Sequence, residues 1–134
     1  MARIIDIEGI GPVWAEKLQN AGVNTTESLL GTAGSAAGRT RLAEVIGVPP
    51  ARVLEWVNRA DLMRVKGIGS EYADLLEEAG VDSCPELARR NAVNLHAKIV
   101  ELNDTKKLVR QTPSAEMVAR WIADADDLPK VVSH

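Results

Sequence analysis

Two short triplets, Gly9-Ile10-Gly11 and Gly67-Ile68-Gly69, carry the most specific chemistry in this sequence, and it is chemistry of the backbone. Glycine reaches φ values that other residues resist and lets a second group come close to the main chain. A helix that starts just after such a turn has N–H groups with no intrahelical acceptor, and its dipole favours an anion at that end. Ile10 and Ile68 are the apolar plugs expected to hold each turn against a core, and Lys17 and Lys66 are the nearest cations. The side chains that could do covalent or acid–base work do not converge. His96 and His134 belong to no metal-ligand spacing. No nucleophile elbow or Cys/His arrangement is present. Asp82 follows the second triplet too closely to act as a hydrolytic carboxylate and reads as a helix N-cap. A non-enzyme with no catalytic residue, no metal and no cofactor is expected.

The triplets belong to a longer repetition. "EGIGPVWAEKLQNAGV" and "KGIGSEYADLLEEAGV" align glycine on glycine, with Ala15 over Ala73, Leu18 over Leu76 and Trp14 over Tyr72. Farther along, "PPARVLEWVNRADL" resembles "SAEMVARWIADADDL" and pairs Trp56 with Trp121. Such ordered self-similarity is the mark of duplication. Two repeats follow, residues 1–64 and 65–134, sharing one core.

The elements that must position the triplets are helices. Pro12 and Ser70 open helices directly after the second glycine, and Val13, Leu18, Ala21 and Tyr72, Leu75, Leu76, Ala79 recur at helical spacing. Gly22 and Gly80 stop them in the left-handed region. Thr25 or Thr26, and Asp82 or Ser83, cap new helices. Further helices are expected near 36–46, 50–62, 92–102 and 114–127. "LLGTAGSAAGRT" reads as a loop, and it lacks the phosphate-loop pattern. Trp56 and Trp121 read as core anchors, and Trp14 as core or partly exposed. Sustained alternation is absent, so no strand is expected.

A Gly-apolar-Gly turn between two short helices, followed by an Ala in the second, resembles the helix-hairpin-helix motif. Gly9-Ile10-Gly11…Ala15 and Gly67-Ile68-Gly69…Ala73 match it. The resemblance implies a grip on a DNA phosphate without reading of sequence, with Gly9, Ile10, Gly11, Lys17, Lys66, Gly67, Ile68 and Gly69 as the contact residues. Across nearly the whole chain, "GIG", "AGV", "WVNRADLMRVKGIG", "ELARRNAVNL", Pro113 and Trp121 resemble the bacterial domain-of-unknown-function family 4332, built of tandem repeats of this kind. The implied fold is all-α, two helix-hairpin-helix-like repeats packed as one domain with pseudo-twofold symmetry. The helix near 114–127 is expected to pack beside the first hairpin and close the two copies. A monomer is favoured over a swapped dimer or a filament.

Charge sets the other side of the balance. The 134 residues carry a formal net charge of -3, unlike most nucleic-acid binders. Residues 1–64 hold seven basic and seven acidic side chains, and residues 65–134 hold nine basic and twelve acidic. The second hairpin is followed by Glu71, Asp74, Glu77 and Glu78. The first half is therefore the better candidate for nucleic acid. Arg39 and Arg41, Arg89 and Arg90, and Lys106, Lys107 and Arg110 read as solvated faces. Two functions remain: weak sequence-independent binding of a nucleic-acid backbone, or a protein-interaction and scaffold module whose glycine turns serve only helix packing. One cysteine, Cys84, excludes an intrachain disulfide and suits a reducing cytoplasm, and neither a signal peptide nor a membrane span is expected.

Overall fold

The structure, a computed structural model, describes residues 2–134, and it is all-helical. Eight α-helices follow a 3-10 turn at Ile4–Asp6: α1 Pro12–Asn20, α2 Thr26–Ala33, α3 Ala36–Ile46, α4 Pro50–Leu62, α5 Ser70–Glu78, α6 Cys84–Ala88, α7 Ala92–Lys106 and α8 Ala115–Asp127. Extended pairing among the described residues is limited to an isolated bridge between Arg3 and Thr25. The chain divides into two units. The first takes in residues up to Asp61 together with Lys130–His134, and the second is Leu62–Pro129.

In the first unit the lead into the hairpin is that single 3-10 turn, anchored by Ile4 N–H on the Asn24 carbonyl (3.1 Å) and by Thr26 N–H on the Ala2 carbonyl (3.0 Å). Helix α1 packs on the turn and on α3, and α2 packs on α3. Its core holds Ile4, Ile7, Ile10, Leu18, Val23, Leu29, Leu42, Val53, Trp56 and Val57. Helix α1 ends as its glycine requires. Gly22 has φ +86°, Val23 N–H bonds the Leu18 carbonyl at 2.8 Å and Gly22 N–H bonds the Gln19 carbonyl at 3.0 Å. This is the Schellman arrangement, which satisfies carbonyls that the last turn leaves open.

The stretch "LLGTAGSAAGRT" is not a loop. It completes α2 and begins α3, with only Gly34 and Ser35 between. Ser35 caps α3 by accepting from Gly38 N–H at 3.1 Å. Gly34 and Gly38 are buried, and a Cβ on either would meet backbone oxygen within 2.5 Å. Those glycines mark close packing here, not chain freedom. Arg39, expected on a solvated face, is 5% exposed, and its guanidinium donates to the carbonyls of Ala33 (3.2 Å) and Gly34 (2.9 Å).

In the second unit α8 packs on α6 and α7, and α7 on α5. Leu62, Val65, Ile68, Leu76, Leu87, Ile99, Val118 and Trp121 form its core. The corresponding helix stop recurs after α5: Gly80 at φ +90°, Val81 N–H on the Leu76 carbonyl at 2.9 Å and Gly80 N–H on the Glu77 carbonyl at 3.0 Å. Ser83, not Asp82, caps α6, which leaves Asp82 exposed. Buried Asn103 closes the turn after α7, donating to the Val109 carbonyl (3.1 Å) and accepting from Val109 N–H (2.9 Å).

The expectation that the final helix packs beside the first hairpin is corrected. Helix α8 belongs to the second unit and puts the Trp121 indole nitrogen against Gly67. The first hairpin is covered by α4, whose Trp56 and Arg59 face Gly9. Each tryptophan helix thus lies on the glycine turn that precedes it in the chain, and neither turn is left without a cover.

Candidate functional site

Each hairpin is built from three parts: a reverse turn ahead of the glycines, the isoleucine plug, and the start of a helix. Ile7 N–H bonds the Ile4 carbonyl (3.0 Å) and Ile10 N–H bonds the Ile7 carbonyl (3.1 Å). The second hairpin uses Val65 N–H to the Leu62 carbonyl and Ile68 N–H to the Val65 carbonyl, both at 3.1 Å. Ile10 and Ile68 are buried.

The two glycines of each triplet do different work. Gly9 and Gly67 have φ of +92° and +93°, the left-handed region in which a side chain is strained. They are crowded as well: a Cβ at Gly9 would lie 3.2 Å from the Arg59 guanidinium, and one at Gly67 would lie 3.2 Å from the Trp121 indole nitrogen. Gly11 and Gly69 are N-caps with ordinary φ of -83° and -93°, and a Cβ there would meet nothing within 4 Å. The fold requires the first glycine of each triplet but not the second.

That second glycine leaves a helix end bare. Thr25, Ser35, Ser83, Asn91 and Ser114 each cap a helix with a side-chain oxygen, whereas α1 and α5 start without a side-chain cap. The first intrahelical bonds are Ala15 N–H to Gly11 and Ala73 N–H to Gly69, each 2.9 Å. The N–H groups ahead of them, Val13 and Trp14 in α1, have no acceptor within the helix.

Around these similar backbones the charges differ. The first turn of α1 contains no acid, while that of α5 contains Glu71, which complements its own helix dipole. Three residues beyond the tryptophan stands Arg59 in the first unit and Asp124 in the second. Arg59 donates to the Glu8 carbonyl, which fixes its guanidinium at the first glycine turn. Lys17 lies over the Trp14 ring, 4.9 Å from its centre, and Trp14 in turn leans on Trp56 at 6.2 Å between ring centres. In the second unit Tyr72 takes the place of Trp14 against Trp121, at 5.2 Å. Lys66 is exposed and shares a cleft with Arg64, Asp124 and Asp127.

The structure thus places Gly9, Ile10 and Gly11 in one turn and Lys66, Gly67, Ile68 and Gly69 in another, whereas Lys17 lies in the last turn of α1, at the far end of that helix from Gly11. Arg59 was missed from the sequence. Its signal was there: it lies one turn past Trp56 in α4, on the side of the helix that the tryptophan turns inward. Two of the other basic groups are engaged elsewhere. Lys106 pairs with Glu78 at 2.6 Å, and Arg90 with Glu86 at 3.1 Å. Among the described residues no group of three or more His, Cys, Asp and Glu side chains could hold a metal ion, and no helix is long and apolar enough to cross a membrane.

A segment of 54 residues, 40% of the chain, is 39% identical to the poly(3-hydroxyalkanoate) polymerase subunit PhaC of Haloferax mediterranei, and it spans only 10% of that relative's length. No solved structure matches the chain at a significant level. The model of the family described as Domain of unknown function (DUF4332) matches residues 8–128, and the chain belongs to that family.

Proposed function

We propose that the chain is a non-enzymatic helix-hairpin-helix module that holds a nucleic-acid backbone weakly and without sequence preference, through its first hairpin. The observation that carries this reading is Gly11. The fold has room for a side chain there and the backbone imposes no strain, yet the position is bare and opens onto an uncapped helix start. A glycine of that kind gives a ligand's anionic oxygen access to the N–H groups of Val13 and Trp14. Arg59 adds a fixed positive charge at the same turn, and Lys17 a more distant one from the last turn of α1, over the Trp14 ring. Phosphate contacts of this type position a duplex or strand without reading bases.

The second hairpin has the same bare helix start, but acids stand beside its cations. Glu71 and Asp124 repel phosphate, so it contributes little to binding. Few phosphates are neutralised, and the slope of log K against log salt is expected at roughly −2 to −4, taking about −0.9 per phosphate. The test is a titration of mixed-sequence DNA, single- and double-stranded, from about 20 mM salt upward. Measurable, salt-sensitive binding supports the reading, and no binding at the lowest salt removes it.

A second reading rests on a different observation. The named relative is a polymerase subunit, and the acidic second hairpin suits a basic protein surface better than a phosphate. On this reading the module joins proteins. Retention of a protein partner by the parent chain, lost on Glu71→Lys with Asp124→Lys, separates it from the first.

A further inference from the structure

Residues 130–134 form neither helix nor strand, yet they are held closely by the first unit. Val132 is 3% exposed while its neighbour Val131 faces outward. Ser133 N–H donates to the Gly34 carbonyl at 2.9 Å, and the Ser133 carbonyl accepts from Arg39 at 2.6 Å. The ring nitrogen Nε2 of His134 lies 3.0 Å from the Asn58 side-chain oxygen. The segment lies against the junction of α2 and α3 through Gly34 and Arg39, and its residues 130–133 line a cleft together with Gly34 and Ser35. A Cβ at Gly34 would come within 2.4 Å of the Val131 carbonyl oxygen, so this glycine is what lets the segment approach.

These contacts have the form of a peptide in a binding groove. Main-chain bonds hold the segment, and one inward side chain is selected while the next points away. Arg39 is buried, and while Nη1 donates to the Ala33 and Gly34 carbonyls, Nη2 donates to the segment. Asn58 is likewise buried on α4.

We propose that this groove is a binding site for an extended peptide of pattern apolar-Ser-His, filled in cis by residues 130–134, and that its partner in trans is the same segment of a second copy of the chain. Every contact made in cis is available to an identical segment from elsewhere. The cis segment competes at an effective concentration near the millimolar range, so exchange emerges when that segment is weakened. This inference is independent of the nucleic-acid reading, since it involves none of the hairpin residues.

The probe is a fluorescent peptide LPKVVSH, reproducing residues 128–134, titrated against the full-length chain and against full-length Val132→Asp. Val132→Asp is expected to remain folded and to bind the peptide at least about tenfold more tightly than the parent, and LPKVDSH is expected not to bind. In the parent, the Ser133 amide is expected to exchange hydrogen faster than the amides of α3, by local release of the segment. The proposal is overturned by a folded Val132→Asp that does not bind, by equal binding to the parent, or by a Val132→Asp that no longer folds. A Ser133 amide as slow to exchange as those of α3 also overturns it.

Discussion

At the residue scale, the triplet Gly-Ile-Gly holds two glycines that look alike and act differently. Gly9 and Gly67 sit at positive φ against Arg59 and Trp121, so Gly9→Val and Gly67→Val are expected to lower stability by about 1–3 kcal/mol each, read as a fall in melting temperature. Gly11→Ala and Gly69→Ala, with ordinary φ and open space, are expected to stay within about 0.5 kcal/mol of the parent, as surface substitutions do. The sequence pattern shows that glycines are needed but not which member of each pair carries the strain. Spacing alone does not reveal which residue of a turn takes positive φ, because that depends on where the chain must reverse to enter the helix. Arg39 illustrates the same limit. A cation beside small residues reads as solvated, and only the packing of α2 on α3 supplies the carbonyls that let it be buried.

At the element scale, most of the fold was legible. Capping residues, helix-stopping glycines and apolar spacing located α1, α3, α4, α5 and α8 closely, because those signals act within a turn or two of chain. The errors came where a local signal had two meanings. Glycine, serine and alanine in "LLGTAGSAAGRT" read as a loop, but Ser35 was an N-cap and the glycines were contact points for neighbouring backbone. The partner of α8 could not be read at all, since the choice between two equivalent glycine turns is made by tertiary packing. Trp121 against Gly67 and Tyr72, and Trp56 against Gly9 and Trp14, are the joints that make that choice. Trp121→Ala and Trp56→Ala are each expected to cost about 3–5 kcal/mol, measured by denaturant titration. Either substitution leaving the midpoint unchanged would show that the tryptophan helices are not the covers of the turns. Ser35→Ala is expected to cost about 1 kcal/mol, the usual loss for an N-cap, by the same measurement.

At the scale of the whole molecule, one backbone design appears in two electrostatic settings. Arg59 and an acid-free helix start mark the first hairpin, and Asp124 and Glu71 mark the second. The net charge of -3 opposes long-range attraction of nucleic acid, so the proposed binding rests on the local site. Arg59→Ala is accordingly expected to weaken DNA binding and reduce the magnitude of the salt slope by about 1, the share of one phosphate contact. The acidic counterpart Asp124→Asn in the second unit is expected to leave binding unchanged or slightly raise it, read in the same titration.

The most direct measurement of the central claim is Gly11→Asp, compared with the parent in both thermal melting and DNA titration at about 20 mM salt. Aspartate is a better N-cap than glycine by a few tenths of a kcal/mol, and it has room at this position. It also puts a carboxylate where the phosphate would sit. The predicted result is a melting temperature equal to or above the parent's together with loss of DNA binding. A stable Gly11→Asp that binds DNA as the parent does would contradict the assignment of the first hairpin as the phosphate site.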